Sequence, residues 1–324
     1  MNLQNFTKYL YPLSITLILT IIYNKYKNGE DDDEQMRNYK LVKQYLLNDS
    51  SLAKSKKPLM WIHMVYDNNA RWWPSFSSRN TDNLNQPYQY LTMKSLIDKC
   101  GDNFNVCLID DDTFTNIIPG WSIDMSLVAD PIKSKIRQLA LARLLYNYGG
   151  FLIPSSFLCF QNLFPLYESL TAGGKMFVAE MVNHKGVSNQ VTFFPSTKFM
   201  GCQKGCQMMS NYINYLEPLI STDFTAESHF VDAFGRWCFE KIMQNEMNMI
   251  PADLIGARDL NGKPVTLEML MSNNFLNLNG KIQGIYIPAD EILKRIKYQW
   301  FARLSAKQAL DSDTTIGKYL LIGR

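Results

Sequence analysis

Four cationic side chains are spaced so that they could bind an anion such as a phosphate. Arg79 lies in a segment rich in Asn, Ser, Arg and aromatic residues, and its forked guanidinium can pair with two phosphate oxygens. Lys133, Lys135 and Arg137 lie near the start of a predicted helix, whose N-terminal N–H groups add positive potential. These residues predict a site for a phosphate-bearing ligand. The alternative for Arg79 is a loop held together by its own aromatic side chains.

Three consecutive carboxylates, Asp110 to Asp112, follow a strand predicted over Phe104 to Ile109. Carboxylate oxygens are the ligands that Mg²⁺ and Mn²⁺ prefer, so a metal ion at Asp110 and Asp112 is one interpretation. The other is a helix start, because Asp112 followed by Thr113 is typical of an N-cap. Adjacency alone does not fix a coordination geometry, and we therefore predict the helix start.

The elements that must position these groups lie in the stretch from Asp130 to Phe160. Asp130 can cap a helix and Pro131 suits its first position, because proline has no N–H to leave unpaired there. Gly149 and Gly150 end this helix, since glycine adopts left-handed backbone conformations without steric cost. The Phe-Leu-Ile that follows predicts a strand covered on both faces.

The residues from Leu144 to Ile153, LLYNYGGFLI, follow a pattern known from one enzyme family. A leucine-tyrosine helix end, a Tyr-Gly-Gly and a hydrophobic strand resemble the outer-chain-initiating mannosyltransferases and capsular-polysaccharide glycosyltransferases that carry a DXD sugar-binding region. The resemblance spans about residues 58–180. It implies an α/β fold of the GT-A type, with a Rossmann-like mixed sheet flanked by helices. The segments around Ser75-Phe76 and Ser155-Ser156-Phe157 also resemble uncharacterised membrane proteins of large DNA viruses.

The chain departs from this family where the family binds metal. The two DXD aspartates are replaced by Pro154 and Ser156, and the family's Asp-x-x-Arg falls on Gln138 and Leu141. Proline offers no side-chain ligand and serine only a weak, neutral one, so a divalent cofactor such as Mn²⁺ is not supported at this position. We therefore predict no metal site and no cofactor.

The resemblance implies a set of donor-binding residues. His63 would face the donor at the end of a strand over Leu59 to Tyr66, although a hydrogen-bonded core histidine is an equal alternative. Glu180 ends a predicted strand that begins at Met176. The full set of candidates is His63, Arg79, Lys133, Arg137, Gly149, Gly150, Ser155, Ser156 and Glu180. No catalytic residue is assigned.

We predict a membrane anchor over residues 1–27 and a polar stem over 28–57, and the resemblance implies a GT-A-like glycosyltransferase domain over 58–324. Residues 9–24 are uncharged and would form a helix of about 24 Å, with flanking Lys and Tyr that suit an interface. A cleaved signal peptide or a buried helix are the alternatives. The resemblance implies a type II orientation, in an ER- or Golgi-like membrane or in a viral or host membrane.

Charge and cysteine spacing argue against nucleic-acid binding and against a structural zinc site. The net charge of +3 and the lack of a basic run with interleaved aromatics argue against nucleic-acid binding. No C-x-x-C pair occurs among the six cysteines, so structural zinc is not predicted. One disulfide would be possible in a lumenal domain, but spacing does not select the pair.

Three hypotheses remain. The first is a sugar transferase in which cationic side chains replace the metal at the leaving diphosphate of a nucleotide sugar, with a glycan as acceptor. The second is a catalytically degenerate, membrane-anchored binding or scaffold protein that has kept the fold. The third is a structural membrane protein without a ligand.

Overall fold

The computed structural model describes residues 57–65, 86–182, 193–222 and 227–323. They form a six-stranded mixed sheet flanked by helices, which confirms the predicted α/β class. The predicted anchor, nearly all of the predicted stem and Arg79 lie outside these residues. Within the described part of the chain, none of the helices is both long and apolar enough to span a bilayer.

The strands are β1 (Leu59–His63), β2 (Asn105–Ile109), β3 (Gly150–Pro154), β4 (Phe157–Cys159), β5 (Phe177–Met181), β6 (Phe194–Cys202), β7 (Asn248–Ile250) and β8 (Gly284–Tyr286). The α-helices are α1 (Gln89–Cys100), α2 (Phe114–Ile117), α3 (Ile132–Tyr148), α4 (Phe164–Thr171), α5 (Gln207–Ser221), α6 (Glu227–Met243), α7 (Leu267–Leu270), α8 (Ala289–Lys294), α9 (Gln299–Ala302), α10 (Ala306–Leu310) and α11 (Thr315–Ile322). Short 3₁₀ turns cover Met125–Leu127, Ala172–Gly174 and Ile296–Tyr298.

The sheet has the order β2-β1-β3-β6-β5-β7, and β6 alone of these six runs antiparallel to its neighbours. The carboxyl ends of β1, β2, β3, β5 and β7 therefore meet at one edge, together with the amino end of β6. A separate pair, β4 and β8, lies outside the main sheet.

The core lies on both faces of the main sheet, because its strands are apolar and helices pack on each face. Trp61 and Leu152 face a cluster that includes residues of α3 and α5. Their neighbours Met60, Ile62 and Phe151 face the opposite cluster, with residues of α1 and α4. Successive strand residues point to opposite faces, so a continuous apolar run is what a doubly covered strand requires. A third cluster packs the C-terminal helices over β4 and β8.

The glycine pair between α3 and β3 is required by close backbone approach. Gly149 and Gly150 have φ values of +72° and +110°. A Cβ on Gly149 would lie 2.6 Å from the backbone nitrogen of Lys204, and one on Gly150 would overlap the carbonyl oxygen of Leu59. The Trp61 indole donates to the Gly149 carbonyl at 2.9 Å, which ties the helix end to β1.

The predicted start of α3 needs correction. Helix α3 begins at Ile132 with Pro131 as its N-cap residue, so the prediction of Asp130 as the cap and Pro131 at the first helical position was wrong by one residue. The Asp130 carboxylate accepts from the Ser134 backbone N–H at 3.2 Å. Gly201 and Cys202 end the nine-residue strand β6, and α5 begins at Gln207.

Candidate functional site

The carboxyl edge between β1 and β3 is the point where the order of the strands reverses. The chain passes from β1 to β2 on one side and returns to β3 on the other side of β1. His63 and Pro154, the last residues of β1 and β3, are paired neighbours across this point. In open α/β sheets, ligands bind in the crevice outside such strand ends. The residues around His63 and Pro154 are therefore the candidate site.

Asp111, directly after β2, is the centre of a charged cluster at this edge. Its Oδ1 lies 3.0 Å from His63 Nε2. The Arg137 guanidinium donates from Nε to Oδ1 at 2.7 Å and from Nη2 to Oδ2 at 2.6 Å, the bidentate geometry of a strong charge-assisted pair. Lys133 Nζ lies 3.8 Å from Oδ2. Lys133 and Arg137 are one turn apart on α3, so the helix presents both cations to the same carboxylate.

The protonation states in this cluster follow from burial and pairing. Burial alone would raise the pKa of Asp111, but the hydrogen bonds from Arg137 and His63 outweigh it and hold that pKa well below its usual range. Burial lowers the pKa of His63 despite the hydrogen bond to Asp111, so the imidazole is neutral near pH 7. Because Asp111 is ionised and only accepts, Nε2 carries the proton and Nδ1 is left as the acceptor.

The other two aspartates of the triple run, Asp110 and Asp112, differ from Asp111 in their contacts and exposure. Asp110 is 4% exposed, and its Oδ1 accepts from the Thr113 backbone N–H at 2.9 Å and from the Thr113 hydroxyl. The predicted cap at Asp112 was wrong, because Asp110 holds this turn while Asp112 is exposed. Among the described residues no set of His, Cys, Asp and Glu side chains is arranged to hold a metal ion.

Ser155 and Ser156, which follow β3, are held by internal hydrogen bonds. The Ser155 hydroxyl donates to Gln89 Oε1 at 2.8 Å, and its carbonyl accepts from the Thr92 hydroxyl at 2.5 Å. Ser156 is 3% exposed and donates to the Ile287 carbonyl at 2.7 Å. Ser155 thus lies at the edge of the site, whereas the Ser156 hydroxyl is directed into the core and binds backbone.

A second ion pair lies on the β6 side of the same edge. Lys198 Nζ donates to Asp290 Oδ2 at 2.9 Å and to the Tyr286 hydroxyl at 2.7 Å. Burial alone would lower the pKa of Lys198, but Tyr286 and Asp290 outweigh it and raise that pKa. Burial would likewise raise the pKa of Asp290, yet Lys198 and, more weakly, Arg137 lower it.

Gln138 links the elements that carry the two clusters. Its amide donates to the Thr197 hydroxyl on β6 at 2.6 Å and to the Tyr212 hydroxyl on α5 at 2.7 Å. Gln138 thereby fixes the position of α3, and with it Arg137, against β6.

The remaining candidates are dispersed. Gly149 and Gly150 lie at the amino end of β3, about 13 Å from its carboxyl end at ~3.3 Å per residue, and their role in the structure is close packing. Glu180 lies at the carboxyl edge on β5, where its Oε1 pairs with Arg258 Nε at 3.1 Å and its Oε2 accepts from the Ala252 backbone N–H. The structure brings together His63, Lys133 and Arg137.

Asp111, Lys198, Tyr286 and Asp290 are the site residues that the sequence did not single out. The middle aspartate of the triple run could have been found from strand alternation, since adjacent residues after β2 point in opposite directions. Tyr286 and Asp290 come from β8 and α8, more than a hundred residues after β3, and no local pattern indicates that they return to this edge.

No protein-family model matches this chain, and no curated protein matches it either.

Proposed function

We propose that this chain is a glycosyltransferase-like protein that binds the diphosphate of a nucleotide sugar at the carboxyl edge, without a divalent metal. The observation that carries the proposal is the placement of Lys133, Arg137 and Lys198 around the point where the strand order reverses. Cationic side chains preorganised around a leaving diphosphate can stabilise its charge in place of a metal ion.

Lys133 is the cation that can meet a diphosphate with the least rearrangement. It approaches Asp111 only to 3.8 Å, whereas Arg137 makes two short bonds to the same carboxylate. Lys133 also lies in the first turn of the 17-residue helix α3, whose N-terminal N–H groups favour an anion. Arg137 holds Asp111 in place and adds positive potential.

Sugar transfer also requires a group that accepts a proton. The acceptor hydroxyl oxygen bonds to the anomeric carbon, the bond from that carbon to the diphosphate oxygen breaks, and the hydroxyl proton must go to a base. Asp111 is a poor base because its pKa is held low. His63 is neutral and has Nδ1 as an acceptor, so we assign the base role within this proposal to His63.

A catalytically degenerate binding or scaffold protein is the second candidate. It is favoured by the internal pairing of the site, in which Arg137 is neutralised by Asp111 and the Ser156 hydroxyl binds the Ile287 carbonyl. A fold and a site position alone do not establish chemistry. In both candidates residues 9–24 would anchor the chain to a membrane, with the domain on the lumenal or outer side.

The test is calorimetric titration of the full chain in detergent with UDP- and GDP-sugars, in EDTA and then in Mn²⁺. We expect binding in EDTA that weakens about ten-fold or more in Lys133→Ala. Lys241→Ala is the matched control, because Lys241 and Lys133 have similar side-chain exposure, 26% and 27%, and each contacts a carboxylate. Binding that requires Mn²⁺, or no binding at all, contradicts the proposal.

Activity separates the two candidates. A full chain that binds a nucleotide sugar in EDTA and releases nucleoside diphosphate on addition of glycan acceptors is a transferase. Release that falls at least a hundred-fold in His63→Gln, with the dissociation constant unchanged, supports His63 as the base. Binding without release of nucleoside diphosphate, either to acceptor or to water, favours the degenerate protein.

A further inference from the structure

A basic and apolar surface lies on the helical turns that follow α8. Ile296 is 86% exposed and Trp300 is 46% exposed, four residues apart on consecutive turns. The residues between and after them that face inward, Tyr298, Phe301 and Ala302, are buried. The outward face therefore presents a large aliphatic and a large aromatic side chain to solvent, in a segment that is well packed beneath.

Exposed cations surround these two apolar side chains. We define the basic-apolar surface as Lys294, Ile296, Lys297, Trp300 and Arg303, all of which are exposed. Residues 289–310 contain five Lys and Arg against two acidic residues. Both acidic residues are compensated, because Asp290 pairs with Lys198 and Glu291 pairs with Arg295. Glu268, from α7, also pairs with Arg295 at 2.5 Å. The surface consequently has a net positive charge.

We propose that the basic-apolar surface docks onto an anionic phospholipid bilayer. Tryptophan and lysine together are typical of side chains at the boundary between headgroups and acyl chains, where an apolar ring inserts and an ammonium stays among phosphates. The complementary charge of the surface selects a bilayer rich in anionic lipid over a neutral one.

The three cations of the surface are exposed and lie within three residues of Ile296 or Trp300 along the chain. An anionic bilayer complements this arrangement, because it offers a broad negatively charged face to the cations and an apolar region to the two apolar side chains. A chain already held at a membrane by residues 9–24, as the sequence predicts, would need only a weak further contact to fix the orientation of the domain. The inference does not depend on the proposed nucleotide-sugar site.

The test places a fluorescent probe on the surface of the full chain reconstituted into vesicles. All six cysteines are buried, so a cysteine introduced by Ile296→Cys can be labelled selectively with an environment-sensitive dye under native conditions. Leu127→Cys is the matched control, since Leu127 is 84% exposed and has acidic neighbours at Asp124 and Asp130. Quenching by spin-labelled lipid is measured in phosphatidylcholine vesicles, in vesicles containing phosphatidylserine, and in the latter at 1 M salt.

We expect at least three-fold stronger quenching at position 296 than at position 127 in the anionic vesicles, and loss of the difference in neutral vesicles or at high salt. Lys294→Glu with Lys297→Glu, on the Ile296→Cys background, should weaken quenching at least five-fold, since each lost charge near an anionic surface costs about that factor in partition. Lys94→Glu with Lys99→Glu on α1 makes the same charge change elsewhere and should leave quenching unchanged.

Equal quenching at positions 296 and 127, or none at 296 in anionic vesicles, overturns the proposal. A dye signal at 296 that changes with protein concentration in lipid-free detergent also overturns it, because a second copy of the chain would then cover the surface. Unchanged thermal midpoints for the charge variants show that a loss of quenching does not come from unfolding.

Discussion

At the scale of single residues, Asp111 sets the electrostatics of the candidate site. Its carboxylate compensates Arg137 and accepts from His63, while the adjacent Asp110 and Asp112 do neither. The sequence alone does not separate these roles, because the three aspartates are consecutive and of the same type. The role of each aspartate depends on the direction in which its side chain leaves the turn after β2. That direction depends on the register of β2 beside β1.

Replacing Asp111 should destabilise the fold, because its carboxylate makes a bidentate ion pair at a partly buried position. Asp111→Asn removes the negative charge that pairs with Arg137, whose side chain is only 16% exposed. We expect a loss of about 2–3 kcal/mol in the free energy of unfolding, measured by urea denaturation at pH 7. Asp112→Asn, at the exposed neighbouring position, should change that free energy by less than about 0.5 kcal/mol. Equal losses in both variants would contradict the assignment.

The lowered pKa of His63 predicts how stability depends on pH. Burial holds the folded-state pKa below the unfolded value of 6.5, so the unfolded chain takes up the proton first as pH falls. The contribution of His63 is therefore fully present above about pH 6.5 and is lost as pH falls from there toward the folded pKa.

The measurement is urea denaturation at pH 7.5, 6.0 and 5.0 for the wild type and His63→Gln. We expect the wild-type free energy of unfolding to fall more steeply below about pH 6.5 than that of the variant. Parallel curves over this range would mean that His63 has the same pKa in both states.

At the scale of elements, the central helix and strand could be predicted because their determinants are local. The glycine pair, the apolar run of β3 and the polar start of α3 each follow from neighbouring residues. β6 could not be predicted in the same way. Its sequence FPSTKFMGC is interrupted by polar residues, and Gly201 has no side chain because the ring of Phe177 on β5 occupies that space. A glycine required by a partner strand cannot be distinguished from one that opens a helix until the partner is known.

Gly150 gives a direct test of why the glycine pair is needed. In Gly150→Ala the new Cβ would overlap the Leu59 carbonyl oxygen, at a φ of +110° that alanine rarely adopts. We expect a loss of about 3 kcal/mol or more, because strain and overpacking add at a junction between two buried strands. Gly173→Ala is the control, since Gly173 also has a positive φ, of +71°, but has open space around its Cβ position. Its expected loss is about 1 kcal/mol, and similar losses in the two variants would remove close approach as the explanation.

At the scale of the whole molecule, the α/β class and the edge that carries the site follow from the order of apolar and polar segments. The positions of Tyr286 and Asp290 do not follow from that order. Asp290 and Tyr286 reach the carboxyl edge only because β8 pairs with β4, immediately after Ser155 and Ser156. The same pairing covers the serines and directs the Ser156 hydroxyl to the Ile287 carbonyl. The C-terminal part of the chain thus closes the carboxyl edge next to Ser155 and Ser156.

The oxidation state of the cysteines should depend on the compartment in which the domain resides. The sequence allowed one disulfide without selecting a pair, and the structure brings Cys100 at the end of α1 to within 3.9 Å, sulfur to sulfur, of Cys159 at the end of β4. Both are free and buried. Glutathione disulfide can oxidise this pair, taking two electrons while the two thiols lose their protons and two glutathione thiols form. We expect a Cys100–Cys159 crosslink to raise the free energy of unfolding by up to about 4 kcal/mol, because it closes a loop of roughly 60 residues in the unfolded chain.

Peptide mapping after unfolding and refolding in a glutathione buffer at lumenal poise checks this crosslink, and Cys100→Ser provides the matched chain that cannot form it. The two chains should have similar stability under reducing conditions and should differ by several kcal/mol under oxidising ones. A map in which Cys202 joins Cys206 while Cys100 stays reduced would contradict the selection of this pair.

Because α1 also carries Gln89 and Thr92, which hold Ser155, the crosslink would fix one wall of the candidate site to β4. An oxidising lumen would therefore leave the carboxyl edge more rigid than the reducing cytosol does, and nucleotide-sugar titrations should be made on both forms.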